Sequence, residues 1–214
     1  MTAPLAGGPV EEELREHVRL QVRAGYLAGP DLLREVEGRV AAALPDLDAG
    51  VLARAWLAAE QRALAADAAA WPVPTDHERV ARALAECAEH GVLVAEAVLD
   101  DAGAAAALRA AGTAPARGVL WFRLSDVAAA LHHGVLRWRL RDPHGRALAP
   151  DAPLVAAVRG CAERHGLTAR AAAPDPDAGV EVRCRWQRRP GAVPTPSGTA
   201  AATTTDPSTA GGPA

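Results

Sequence analysis

Lysine, asparagine and isoleucine are missing altogether from the 214 residues, and methionine, tyrosine and phenylalanine each occur once. The three missing residues have AT-rich codons, so the bias points to a GC-rich genome in which arginine is the only strong cation in use. An arginine cluster is therefore weaker evidence of a binding surface here than in a chain that also uses lysine. Cysteine is nearly absent too. Cys87, Cys161 and Cys184 are odd in number and far apart, which excludes a paired-cysteine metal motif or a secreted disulfide framework. Each lies in an apolar stripe, and three buried thiols are expected rather than a reactive thiolate. No apolar run approaches the roughly 20 residues of a membrane span, and MTAPLAGGPVEEE lacks the basic and apolar regions of a signal peptide. A cytoplasmic protein with no membrane partner is expected.

Half the residues are apolar, enough for a sizeable core in one or two domains. Leu14, Val18 and Val22 recur every four residues behind Glu11, Glu12 and Glu13, whose charges suit a helix start, and Gly25 ends that helix. A second helix is expected from Pro30, burying Leu33, Val36, Val40 and Leu44 before Pro45. A third runs from about Asp48 to Ala70 with Leu52, Trp56, Ala59 and Ala63 inward, until Pro72 stops it.

Thr75 and Glu78 then form a capping box, in which each side chain accepts the other residue's amide. Val80, Leu84 and Cys87 make the apolar side of the helix, Gly91 supplies its left-handed terminus, and VLVAEAVL reads as a strand. The stretch from Ala102 to Ala111 stays undecided between helix and insertion. GVLWFRL is a second strand, SDVAAALHHG a short capped helix, and VLRWRLRD a strand of period two with Leu136, Trp138 and Leu140 on one face. Arg137, Arg139 and Arg141 take the other face, the alternation of a half-buried antiparallel strand. After the turn DPHG, Asp151 is placed to cap a helix bearing Leu154, Val155, Val158 and Cys161 and ending at Gly166. LTARAA and VEVRCRW follow as strands joined by PDPDAG, with Val180, Val182, Cys184 and Trp186 on one side. Beyond Arg189 only Pro, Gly, Ser, Thr and Ala recur, and a disordered tail is expected.

The pattern Trp71-Pro72, Thr75-Asp76 and Arg79, with VEVRCRWQRR at the far end, resembles a bacterial domain-of-unknown-function family over roughly residues 71 to 189, extending weakly into the first helices. The resemblance implies a fold and its boundaries, and no activity. His77 stands where relatives often carry cysteine, and Val80 where they tend to carry leucine. AEAVLDDAGAAAALRAAG has no cysteine where some relatives are cysteine-rich, so metal or thiol chemistry of those relatives is not expected to carry over.

Asp76, His77 and Glu78 invite an acid–base reading, but neighbours on a helix fan apart by about 100°, and capping already accounts for these residue types. His132 and His133 are adjacent, whereas a helical metal site needs ligands three or four apart. No catalytic set, metal or cofactor is expected. The one nonlocal signal is charge. Residues 1–115 hold 18 acids and 10 arginines, net −8, whereas residues 116–189 hold 7 acids and 13 arginines, net +6. If the strands bearing Arg137, Arg139, Arg141, Arg183 and Arg185 are neighbours, their outer faces form a basic wall that, with Arg79, could take a small anion or an acidic protein. Nucleic acid is disfavoured by the overall charge of −3 and by the lack of aromatics for base stacking.

The resulting expectation is an α+β protein. A helical segment (1–70) precedes a domain (71–189) of about five mainly antiparallel strands with helices on one face, and a tail (190–214) follows. Its expected role is that of a noncatalytic binding module using the arginine face. The rivals are a small hydrolase or transferase around Asp76, His77 and Arg79, and a degenerate copy of a metal-binding relative.

Overall fold

A computed structural model describes residues 8–110, 116–172 and 179–191; the expected tail beyond 191 and the PDPDA part of the last loop lie outside the described residues. Three helices come first: α1 (Pro9–Ala24), α2 (Gly29–Ala43) and α3 (Ala49–Ala68). They share a core that includes Val18, Val36, Val40, Trp56 and Leu64. In α1 the buried apolar residues include Leu14, Val18 and Val22, as the four-residue spacing dictates, and Gly25 closes the helix at φ 71°. In α2 the inward stripe is Leu32, Val36 and Val40, with Leu33 and Leu44 only partly buried. The face of α3 differs from expectation, because Ala53, Trp56, Leu57 and Leu64 turn inward and Leu52, Ala59 and Ala63 do not form the buried stripe. Its alanine-rich sequence gives nearly every face similar hydrophobicity, so packing against α1 and α2 decides the rotation.

The second part is a five-stranded sheet with helices α4 (Asp76–Glu89), α5 (Asp101–Ala110), α6 (Leu124–His133) and α7 (Pro153–Arg164). Strands β1 (Val92–Val98), β2 (Gly118–Arg123), β3 (Val135–Arg141), β4 (Thr168–Ala171) and β5 (Val180–Arg183) lie in the order β1-β2-β3-β5-β4. Only β1 and β2 run parallel, because a helical crossover through α5 joins them; every other pairing is antiparallel. The undecided alanine stretch is thus helical through Ala110 as that crossover, and Ala111 lies outside the described residues.

Alternation assigns the sheet its two sides. Leu120, Phe122, Leu136, Trp138, Val180 and Val182 face a large core that also takes in Val80 and Leu84 of α4, Val127 of α6, and Val155 and Val158 of α7. On the opposite side Ala104 of α5 packs on Ala95, Val119 and Trp121, over β1 and β2. That second layer is an addition to the single helical face expected. Two local signals also resolve differently. The side chain of Asp151 makes no cap for α7, whose N-cap is Ala152, and α6 is opened by Asp126, whose Oδ2 accepts the Arg123 amide at 2.7 Å. The Thr75–Glu78 capping box forms as read, with amide contacts of 3.2 and 2.9 Å. Among the described residues no helix is long and apolar enough to cross a membrane.

Candidate functional site

The two sequence motifs meet. Past β5 the chain continues extended, so Cys184 and Trp186 keep to the core side and are buried. The Arg185 amide donates to Asp76 Oδ2 at 2.9 Å, and the His77 ring stands edge-on to Trp186 at 4.8 Å. Arg188 is buried; its Nη1 donates to the carbonyl of Ala24, the last residue of α1, at 3.3 Å, and its guanidinium lies 4.9 Å over the Tyr26 ring. Gly25 leaves the room for it, since a Cβ there would stand 2.8 Å from Arg188 Cδ. Arg189 donates to the carbonyls of Ala68 (the last residue of α3), Trp71 and Pro72 at 3.0 to 3.3 Å, and approaches Glu78 at 3.5 Å. Consecutive arginines therefore cap the ends of α1 and α3, where unpaired carbonyls and the helix dipole favour a cation.

This clasp uses up the residues of the enzyme reading. Asp76 serves the Arg185 amide and lies 3.7 Å from Arg79, while Arg79 reaches the Gly166 carbonyl at 3.4 Å. Burial, then the nearby Arg188 charge, lowers the His77 pKa to about 4, so at neutral pH the ring is uncharged and packs as an aromatic. His132 and His133 are exposed on α6, with His132 3.2 Å from Glu16, away from this cluster. Cys87, Cys161 and Cys184 are buried and reduced. Burial pushes the Cys184 thiol up to about 12 and raises Cys87 as well, neither of which favours a thiolate nucleophile. Among the described residues no three His, Cys, Asp or Glu side chains are grouped to hold a metal.

The second arrangement lies on the other side of the sheet. The β3–β5–β4 register puts Arg137, Glu181 and Arg170 in one row, and Val135, Arg183 and Thr168 in the next. Glu181 takes Arg170 Nη2 at 2.6 Å and stands 3.6 Å from Arg137 Nε. Arg183 is exposed and ion-pairs with no carboxylate among the described residues. Farther along β3 the environment changes. Arg139 is only 6% exposed and forms an ion pair with Asp126, itself 5% exposed, so it belongs to the interior rather than to a solvated wall. Arg141 lies 5.8 Å over the Trp121 ring and donates to the Gly145 carbonyl at 3.1 Å. Beside it, Asp101 accepts Trp121 Nε1 at 3.1 Å and Arg123 at 2.6 Å; the Arg123 contact, first of all, holds the Asp101 carboxyl below the usual carboxylate range.

Of the six arginines singled out from the sequence, Arg137, Arg139, Arg141 and Arg183 thus share one side of the sheet, with Arg139 sealed inside. Arg185 is exposed just beyond β5, and Arg79 sits on α4, in the layer against the opposite side. Arg170 and Glu181 complete the row. Nothing in TARA marks its arginine as a partner of β3; the hairpin register brings it there. The acids Asp101 and Asp126, 22 and 13 positions from Arg123 and Arg139, likewise carried no local signal.

No curated protein and no solved structure is detectably similar to the chain. The model of one family, described as a domain of unknown function (DUF6891), matches residues 9–190, a span that takes in the three amino-terminal helices, the sheet and the arginine clasp together. The chain belongs to that family of unknown function.

Proposed function

We propose that the protein is a noncatalytic binding module whose outer β3–β5–β4 face receives an acidic segment of a partner protein. The observation that carries this reading is exposed Arg183, which ion-pairs with no carboxylate among the described residues, beside the row in which Arg137 and Arg170 flank Glu181. Among the described residues Arg137, Arg170 and Arg183 are exposed, and the α5 cluster rests on β1 and β2. Guanidinium forks on a flat face suit carboxylates presented at intervals along an extended chain. A small anion would need a more enclosed pocket to offset its lost freedom.

The reading also gains from what the acid–base residues are doing. Asp76, His77 and Arg79 are held by backbone groups and by Trp186, which leaves the hydrolase or transferase alternative without a convergent set.

A fluorescence-anisotropy titration of a labelled glutamate-rich peptide at low and moderate salt tests the proposal. Wild type should bind with a dissociation constant that weakens as salt is added, and the variant Arg137→Gln/Arg170→Gln/Arg183→Gln should bind at least about tenfold more weakly. Equal affinity of variant and wild type, or no binding by either, contradicts it. A single-stranded DNA oligomer bound more tightly than the peptide would replace the acidic segment with nucleic acid.

A further inference from the structure

Two of the three thiols are neighbours, although they lie far apart in the sequence. Cys87 stands in the last turn of α4 and Cys161 in the last turn of α7, and both line a cavity of about 290 Å³ between these helices, together with Val92, Leu154, Val158 and Arg164. Burial first, then the adjacent Cys161 sulfur, through its charge and a hydrogen bond, raises the Cys87 thiol above its ordinary range. Arg164 Nη2 donates to Cys161 Sγ at 3.2 Å. Cys184 stands apart from the pair: burial, then the charge of Asp76, raises its thiol, and its hydrogen bond is with the Leu136 backbone.

The two neighbouring sulfurs therefore have different surroundings. Cys87 is kept as a thiol by burial, whereas Cys161 has an N–H aimed at its sulfur, a contact that favours negative charge there as the sulfur attacks. Glu86 fixes that donor, accepting Arg164 Nε at 2.8 Å and meeting His165 Nε2 at 2.9 Å. The Arg164 charge is thus paired, and its effect on Cys161 comes through the direct contact. Among the described residues no third His, Cys, Asp or Glu joins the two thiols in a metal-holding group, so their chemistry is that of a dithiol. The cavity falls just short of ligand pockets, roughly 300–1,000 Å³, yet has ample room for a molecule little larger than water.

We infer that Cys161 and Cys87 are a peroxide-reactive pair: hydrogen peroxide entering the α4–α7 cavity oxidises Cys161, and Cys87 then closes a disulfide between the two helices. In the first step the Cys161 sulfur attacks one peroxide oxygen, the O–O bond breaks, and the thiol proton leaves with the departing hydroxide as water, giving a sulfenic acid. In the second the Cys87 sulfur attacks that sulfenic sulfur, the S–O bond breaks, and the Cys87 proton leaves with the hydroxide as a second water. The two thiols lose two electrons and the peroxide gains them. A thiol reductant reopens the bond by exchange. The pair lies in the core on the other side of the sheet from the arginine rows, so this inference is independent of the acidic-segment reading.

Trypsin cuts after arginine and places each cysteine on its own peptide: Cys87 on 83–109, Cys161 on 160–164 and Cys184 on 184–185. The reduced full chain is treated with a small excess of hydrogen peroxide, remaining thiols are blocked with iodoacetamide in urea, and the digest is mapped by mass spectrometry with and without dithiothreitol. Peptides 83–109 and 160–164 should be joined and should separate on reduction, while Cys184 is alkylated. In Cys87→Ser the second step is blocked, and dimedone should label Cys161 as its sulfenic acid. Arg164→Gln, a change at an exposed position, should give the same link several-fold more slowly. Three alkylated cysteines after peroxide, a link that includes Cys184, or a link that forms as fast in the urea-denatured chain overturns the pair. Wild-type speed in Arg164→Gln, or no dimedone adduct at Cys161 in a folded Cys87→Ser, overturns Cys161 as the attacking sulfur. Should Cys87→Ser fail to fold, the wild-type map and the Arg164→Gln rate decide both points.

Discussion

Two groups of arginines, one just beyond β5 and one on the outer face of the sheet, behave in opposite ways. Arg188 and Arg189, at its end, are turned inward onto the carbonyls of Ala24, Ala68, Trp71 and Pro72. Arg183 points out from β5, beside the row where Arg137 and Arg170 share Glu181. The residue type is the same. What differs is the acceptor: helix ends and the turn after α3 bring backbone carbonyls to the first group, whereas the second lies on an exposed face beside Glu181. Arginine density therefore does not identify a binding surface, and the electrostatic argument applies only to the outer group.

The comparison is sharpest at Arg139, which belongs to the outer face by alternation and to the interior by burial. Asp126→Ala would leave its guanidinium buried without a partner and remove the acceptor of the Arg123 amide. Urea unfolding should show a loss of about 3–5 kcal/mol, and Asp126→Leu/Arg139→Met should recover most of it. A loss under about 1 kcal/mol would return Arg139 to the class of surface cations. Next in size is Arg188→Ala, which removes a charged hydrogen bond and a cation–π contact; about 2–3 kcal/mol should be lost in the same experiment.

The clasp should also respond to acid. His77 titrates near 4 in the folded protein against an ordinary 6.5, chiefly through burial, so the unfolded chain binds its proton first. Stability is complete above pH 6.5 and falls as the pH drops toward 4, by roughly 2–3 kcal/mol from this residue. His17, lowered mainly by burial, contributes in the same direction. Unfolding free energies at pH 7.5 and 5 should diverge in wild type and differ less in His77→Phe. An unchanged difference would place the acid sensitivity elsewhere. The smallest effect belongs to the outer group, where Arg170→Gln or Arg183→Gln should shift unfolding by no more than about 0.5 kcal/mol while weakening the acidic peptide.

Much of this architecture was legible where chemistry is local. The Thr75–Glu78 box, the terminating Gly25 and Gly91, the alternation of β3 and the inward run Val180 to Trp186 each depend on neighbours within a few residues, and each forms as read. Legibility ended where partners are distant or side chains uniform. The alanines of α3 left its rotation to packing, and those of α5 left its helix undecided. The pairing of Arg139 with Asp126 depends on where α6 begins, and the place of Arg170 in the row depends on a hairpin register. The resemblance at Trp71-Pro72 and Trp186-x-Arg188-Arg189 marked two ends of the chain; only the fold revealed that these ends hold each other and dock the helical segment.

Amide chemical-shift mapping during titration with the glutamate-rich peptide tests the central claim most directly. The account predicts shifts confined to β3, β4 and β5 around Arg137, Arg170 and Arg183, with the amides of residues 76–79 and 185–189 unmoved. Shifts concentrated at the clasp, with the outer face silent, would contradict it.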